Sequence, residues 1–414
     1  MRAAEQATGR LAYEQAEQQL HRALELVALI EAGPDRASRE LDVQLRLGAL
    51  LMSTEGYGAA AVGAACTRAE ELCREIGDER LLLPALWRLG VFHEVRADFP
   101  RQEQIGAQLL DLAAGNPEPI ARLSALMMLA PPTIHGGDLR RARDLLEEAV
   151  ALADPLDARA LVETFGHNHQ VTSRGFLAWT QSLLGVGDGG PESLTEAALR
   201  RARDVPNPID EAFALFFAAL CTAIGDDAEL AHPRAEELTA RSLEHGLPLF
   251  AAMGTIIGGW AIARRGEPEA GAARVAEGID AFEATGARML LHFFLALLAD
   301  AQRQAGGLDG PLATVEAGLS HVDATTRFYE SELHRLKGEL LLELHPGGRL
   351  RRNASFGPRL PLRTNSERRP WNAGPKRAWA SSPPAERFGA AARCVRGTAL
   401  ASSAEGRDSN PRTS

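Results

Sequence analysis

Small residues recur along this sequence at steps of about forty, and that recurrence limits the folds open to it. Gly48, Gly90, Ala130, Ala178, Ala218, Gly259, Ala299 and Gly338 are separated by 42, 40, 48, 40, 41, 40 and 39 residues. Each sits in an apolar stretch that reads as a helix. A Gly-containing turn follows, then a second helix with Ala at helical spacing. The clearest copy is SALMMLAPPTIHGGDLRRARDLLEEAVALADP. There Gly137 and Asp138 make the turn, Ala142, Leu146 and Ala149 line one face, and Pro155 ends the second helix. A second copy puts Gly259, Gly266, Gly271, Val275 and Gly278 at the same offsets. The longest step is assigned to the Gly/Pro-rich run LGVGDGGPES.

A helix hairpin cannot cover its own apolar face, so neighbours must stack on it. A small residue at the crossing point lets two helix axes come within about 8–10 Å. Composition agrees with helices: the chain is rich in Ala and Leu, with 3 Tyr and 5% aromatic residues. The expected fold is therefore all-α, a solenoid of about eight stacked helix hairpins over residues 1–345. The offsets of the small residues, Leu and Pro in Ala130–Pro155 resemble a tetratricopeptide repeat, and that resemblance implies a right-handed superhelical solenoid of tetratricopeptide-like hairpins. The uncharged stretch GLPLFAAMGTIIGGWAIA at 246–263 fits a buried helix of such a stack better than a membrane span, given Pro248 and its glycines.

Charge divides the chain. Residues 349–414 carry 14 Lys and Arg against 4 Asp and Glu, whereas the remainder carries 31 against 51. An acidic body lacks the basic stripe that phosphate backbones require, so nucleic acid is not an expected partner. In SELHRLKGELLLELHPGG a first helix with Leu333, Leu336, Leu340, Leu341 and Leu344 on one stripe is followed by Arg, Ser, Gly and Pro instead of a second helix. The basic tail, 346–414, reads first as a shifted reading frame of a GC-rich gene. A disordered linker and a basic binding arm are the other readings. Without a second helix, the last stripe is expected to fray or to drive self-association.

Several strings resemble the C-terminal helical region of a family of large bacterial signalling proteins: PDRASRELDVQLRLGALLMSTEGYGA, LLPALWRLGVFHEVRADF, EHGLPLFAAMGTIIGGWAIARRGE and YESELHRLKGELLL. Those proteins join an adenylate/guanylate cyclase-like or DNA-binding domain, an AAA-type ATPase and a tetratricopeptide-like arm. The resemblance spans about residues 5–344 and implies a regulatory arm that receives a protein partner or small inducer in its concave groove. It also implies a cytoplasmic setting, in keeping with the lack of an apolar signal core at the N-terminus. The family's catalytic residues have no counterpart in this sequence. A P-loop needs GxxxxGK[ST], and neither of the two lysines, Lys337 and Lys376, stands in one. The chain is thus expected to be a non-enzymatic interaction or sensor module that needs no cofactor. A fragment of an ATPase or cyclase is the alternative, and the effector domain of a transcription regulator a further one.

Individual residues give little chemistry. His167 and His169 are two apart with no third ligand nearby, which favours a loop or helix-start role over a metal site. Cys66, Cys73, Cys221 and Cys394 fit neither a zinc site nor a disulfide framework and read as buried reduced thiols. Asn353 matches a glycosylation acceptor by chance. Trp87, Trp179 and Trp260 lie near the small positions of three first helices and read as packing residues, with ligand stacking as the alternative. Arg140, Arg141, Arg143, Asp144, Glu147 and Glu148 form a solvated face.

Overall fold

Turn chemistry sets the helix boundaries. Asp138 caps the helix after it by accepting from the Arg141 N–H at 3.2 Å. Asp227 does the same for Leu230 at 3.0 Å. Pro34, Pro119, Pro208, Pro248 and Pro268 open helices, where a missing N–H costs nothing. The computed structural model describes residues 2–115, 118–186 and 190–345. Among these it holds seventeen α-helices and no strand.

After α1 (Arg2–Ala28) the helices pair as hairpins: α2 (Pro34–Thr54) with α3 (Ala60–Ile76), α4 (Glu79–Val95) with α5 (Phe99–Gly115), and α6 (Pro119–His135) with α7 (Leu139–Ala153). A short helix, α8 (Ala158–Phe165), intervenes. The pairs α9 (His169–Leu184) with α10 (Gly190–Asp204), α11 (Pro208–Ile224) with α12 (Ala228–Glu244), α13 (Pro248–Arg264) with α14 (Pro268–Ala284), and α15 (Leu291–Gln304) with α16 (Asp309–Ser320) follow. The last described helix is α17 (Glu330–Leu344). This is a solenoid of hairpins with seven complete pairs among the described residues. One large apolar cluster runs from α2 to α15, and a second joins α15, α16 and α17. The tail expected over 346–414 lies outside the described residues, as do Cys394 and Asn353.

The long step between Ala130 and Ala178 has a different origin from the one its sequence suggests. LGVGDGGPES begins at Leu184, beyond Ala178, and leads into α10. The extra residues are those of α8. Asp157 caps it through the N–H groups of Arg159 and Ala160, Leu161 and Phe165 bury its apolar side, and Gly166 ends it at φ 82°. Its two turns carry too few periodic residues to stand out in a sequence.

Seven of the small residues lie in the first helix of a hairpin: Gly48 in α2, Gly90 in α4, Ala130 in α6, Ala178 in α9, Ala218 in α11, Gly259 in α13 and Ala299 in α15; Gly338 lies in α17. Helix backbones approach closely around α13, the uncharged helix, which is buried along most of its length. A methyl group built on Gly259 would lie 2.8 Å from the Val275 nitrogen on α14. One built on Gly254 would lie 2.4 Å from Thr239 Oγ1 on α12. Gly338 differs: among the described residues nothing lies within 4 Å of such a methyl. On α17, Leu333, Leu336 and Leu340 are buried, Leu341 and Leu344 are half-buried and Leu342 is exposed.

Polar contacts between successive hairpins repeat at about the same interval. Trp260 Nε1 donates to Asp300 at 3.0 Å, Arg264 pairs with Asp226 at 2.6 Å, and Arg303 pairs with Glu339 and Glu343. Such half-exposed ion pairs stabilise by roughly 0–1 kcal/mol each. They fix the register between hairpins more than they stabilise it.

Candidate interaction site

Early and late hairpins of the stack meet through their connecting segments. Gly58, between α2 and α3, touches Gly286, between α14 and α15: a methyl on Gly58 would lie 2.7 Å from the Gly286 carbonyl carbon. The Val95 carbonyl, at the end of α4, accepts from the N–H groups of Arg288 and Met289 at 2.8 and 3.2 Å. The His135 carbonyl, at the end of α6, accepts from Arg327 and Phe328 at 2.5 and 3.1 Å.

The third of these contacts leads into a cage of rings. Phe328 is buried between first helices that are far apart in sequence. Its ring centre lies 5.2 Å from that of His135 on α6, 5.2 Å from Trp179 on α9 and 4.7 Å from His292 on α15, edge to face in each case. Phe99 stacks on His135 at 4.2 Å. His135, Trp179 and His292 are at most 2% exposed. Within the described residues His135 Nδ1, Trp179 Nε1 and His292 Nε2 have no hydrogen-bond partner. Burial drives His135 well below the usual imidazole range and His292 down to about 4, so both rings are neutral at neutral pH.

The segment that carries Phe328 is ordered by its own polar groups. Asp323 Oδ1 accepts from the Thr325 N–H at 2.7 Å and from the hydroxyls of Thr325 and Thr326 at 2.8 and 3.0 Å. The Thr326 hydroxyl also reaches the His321 carbonyl at 2.9 Å. This is an Asx-type turn, which orders the loop locally, in addition to the bonds that Arg327 and Phe328 make to α6.

A second cluster gathers His167 and His169. Asn168 caps α9, so His169 stands at a helix start and His167 in the turn before it. Their rings are parallel at 4.9 Å, and Trp87 lies 4.6 Å from His169. Phe165 and Phe213 close the cluster. Burial pushes His167 down to about 4 and His169 well below the usual imidazole range. Asp210, fully buried, accepts from the Asn168 N–H at 2.7 Å, and burial raises its carboxyl to about 7. Among the described residues no group of three or more His, Cys, Asp or Glu is arranged to hold a metal ion.

The other residues singled out from the sequence lie apart. Trp260 packs against Arg264 and bonds Asp300. Cys66 and Cys73 are buried, and burial raises Cys66 and Cys221 to about 12 and Cys73 to about 11, which leaves them protonated and unreactive. Arg140, Arg141, Asp144 and Glu147 are exposed, while Arg143 and Glu148 are half-buried. An open groove of about 510 Å³ between α3 and α4 is lined by Gly63, Thr67, Arg68, Phe92 and Arg96. Arg96 lies over the Phe92 ring and donates to the Gly58 carbonyl at 3.0 Å.

Sequence reasoning singled out Trp87, Trp179, His167 and His169 but missed Phe328, His135, His292 and Asp210. Their partners are remote in sequence, and no fixed spacing marks them. No helix among the described residues is long and apolar enough to cross a membrane.

No family model matches the sequence, and no curated protein matches it. Among solved structures the chain is similar to a Rap protein crystallised in complex with competence and sporulation factor. The likeness has a TM-score of 0.53 at 14% identity, over 80% of this chain and 94% of that one. At that identity it is a likeness of fold: a tetratricopeptide-like helical repeat protein.

Proposed function

We propose that the chain acts by binding: it is a protein-interaction or sensor module that passes the presence of a partner or small inducer to a larger assembly. Its first helices, brought together from separate hairpins, present buried aromatic and imidazole rings to a chain segment. That cage is the observation that supports the reading most directly. The fold likeness adds to it, since the similar Rap protein was crystallised with a bound factor. In the ATPase and nucleotide-cyclase setting implied by the resembling strings, the module is the regulatory arm and its site of action is the cytoplasm. The free thiols of Cys66, Cys73 and Cys221 suit that compartment.

The test has two parts. The purified chain, incubated with ATP or GTP and Mg²⁺, is expected to give no turnover above a protein-free blank. Any ATPase or cyclase encoded beside its gene is then co-expressed with it, and the two are expected to co-purify, with the chain altering the enzyme's turnover. Nucleotide turnover by the chain alone would overturn the non-catalytic reading.

A further inference from the structure

Phe328 and the cage around it are chemically mismatched. A phenylalanine side chain has no hydrogen-bonding group, yet it packs against the rings of His135, Trp179 and His292, and each of these rings carries one buried nitrogen, His135 Nδ1, Trp179 Nε1 and His292 Nε2, without a partner among the described residues. Buried polar groups are normally paired, because leaving one unpaired is costly. These three come from α6, α9 and α15, so the cage is assembled by the stack and not by one local turn. The main chain beside it adds two hydrogen bonds to the ring contacts. The His135 carbonyl accepts from two consecutive N–H groups, those of Arg327 and Phe328. The occupant is a short segment held by its own Asx-type turn, on the connection between α16 and α17.

We propose that this cage is a binding site for an extended peptide presenting an aromatic side chain with a polar tip, and that Phe328 is a built-in competitor occupying it. The inference rests on the reading of the chain as an interaction module and adds the class of partner. An external aromatic group with a hydroxyl or ring N–H reaches the nitrogens that Phe328 leaves unpaired, and its backbone N–H groups take over the bonds to the His135 carbonyl. A tethered segment acts at an effective concentration of about 1 mM. An external peptide at about 10 µM therefore competes at roughly a hundredfold disadvantage. Binding then displaces residues 321–329 and frees the start of α17.

The experiment uses the full chain and a fluorescein-labelled peptide copying its own residues 321–330, HVDATTRFYE. Fluorescence anisotropy is expected to show no binding to the wild-type chain at about 10 µM peptide. It should show binding to Phe328→Ala with an affinity roughly a hundredfold higher. A peptide carrying F328A should not bind, and one carrying F328Y should bind tighter than the parent, through its hydroxyl. If Phe328→Ala does not fold, as judged by far-UV circular dichroism, Thr326→Val serves as the host: it loosens the segment's own turn and leaves the cage intact. A folded host that ignores the peptide, or binds the F328A peptide equally well, overturns the site. An F328Y peptide no tighter than the parent overturns the polar-tip assignment. Either failure leaves the interaction-module reading to its own co-purification test.

Discussion

Gly58 and Gly286 are in main-chain contact, although five complete hairpins separate their loops. A methyl on Gly58 would lie 2.7 Å from the Gly286 carbonyl carbon, and one on Gly286 would lie 2.6 Å from the Gly58 carbonyl oxygen. No side chain is present to bend aside, so any Cβ must push the two backbones apart. Gly58→Ala is expected to open this edge while leaving each hairpin formed. The N–H groups of Arg288 and Met289, which bond the Val95 carbonyl beside it, should then exchange with solvent about tenfold faster or more. Unchanged exchange at those two amides would mean that the edges do not hold each other.

Two glycines of the forty-residue succession should respond in opposite directions. At Gly259 an added methyl meets α14 backbone, with the Val275 nitrogen at 2.8 Å and the Gly271 oxygen at 2.9 Å. Backbone cannot move without separating α13 from α14, so Gly259→Ala should destabilise by about 1–3 kcal/mol. At Gly338 nothing described stands within 4 Å. There Gly338→Ala gains helix propensity without a clash and should stabilise by about 0.5–1 kcal/mol. Urea unfolding of the two variants checks the pair. A destabilising Gly338→Ala would indicate a second helix packed against α17.

The hairpin succession was legible because the means of making it are local: a small residue at the crossing, a Gly-Asp turn such as 137–138, and Ala at helical spacing in the helix that follows. The helical nature of 246–263 was legible for the same reason, since its glycines and Pro248 sit where close packing and a helix start need them. The extra turns of α8 were not, because eight residues hold about two apolar periods and Gly/Pro punctuation elsewhere drew the assignment. The cage around Phe328 was illegible for a deeper reason. Its partners His135, Trp179 and His292 are set beside it by the rotation accumulated over successive hairpins. No local pattern records that sum. Trp179 and the pair His167 and His169 were visible as unusual residues, but their companions were not.

The hairpin turns also contain a strained position. Gly137 and Gly266 take positive φ, 88° and 106°, where their hairpins reverse, and Ala97 takes φ 62° at the same point between α4 and α5. A residue with a Cβ costs roughly 1–2 kcal/mol in this left-handed region. Part of the gain from glycine is lost to greater freedom in the unfolded chain. Ala97→Gly should therefore stabilise by about 0.5–1 kcal/mol, read as a higher denaturation midpoint with unchanged slope. A lower midpoint would show that the Ala97 methyl makes contacts worth more than the strain.

Titration of the buried groups sets an optimum pH for the fold. His167 and His292 are pushed down by burial to about 4, and His135 and His169 lie well below their ordinary 6.5. Below 6.5 the unfolded chain binds protons on these four rings that the folded chain refuses, so acidification favours unfolding. Asp210 and Glu94 act in the opposite sense, since burial raises them to about 7 and about 8 from 3.8 and 4.5. Between those values the folded chain holds two protons that the unfolded chain has released. From pH 6.5 downward the four histidines increasingly outweigh the two carboxyls, towards a net of about two protons near pH 5.5, so roughly 1–2 kcal/mol is lost over that unit. Above about pH 7 the unfolded histidines have lost most of their protons and the carboxyls dominate, so stability falls again, by roughly 1 kcal/mol up to pH 8. Denaturant unfolding at pH 5.5, 6.5 and 8 should place the maximum at the middle value. A chain as stable at pH 5.5 as at 6.5 would mean that the rings around Phe328 and Trp87 already accept protons, and hence that water reaches them.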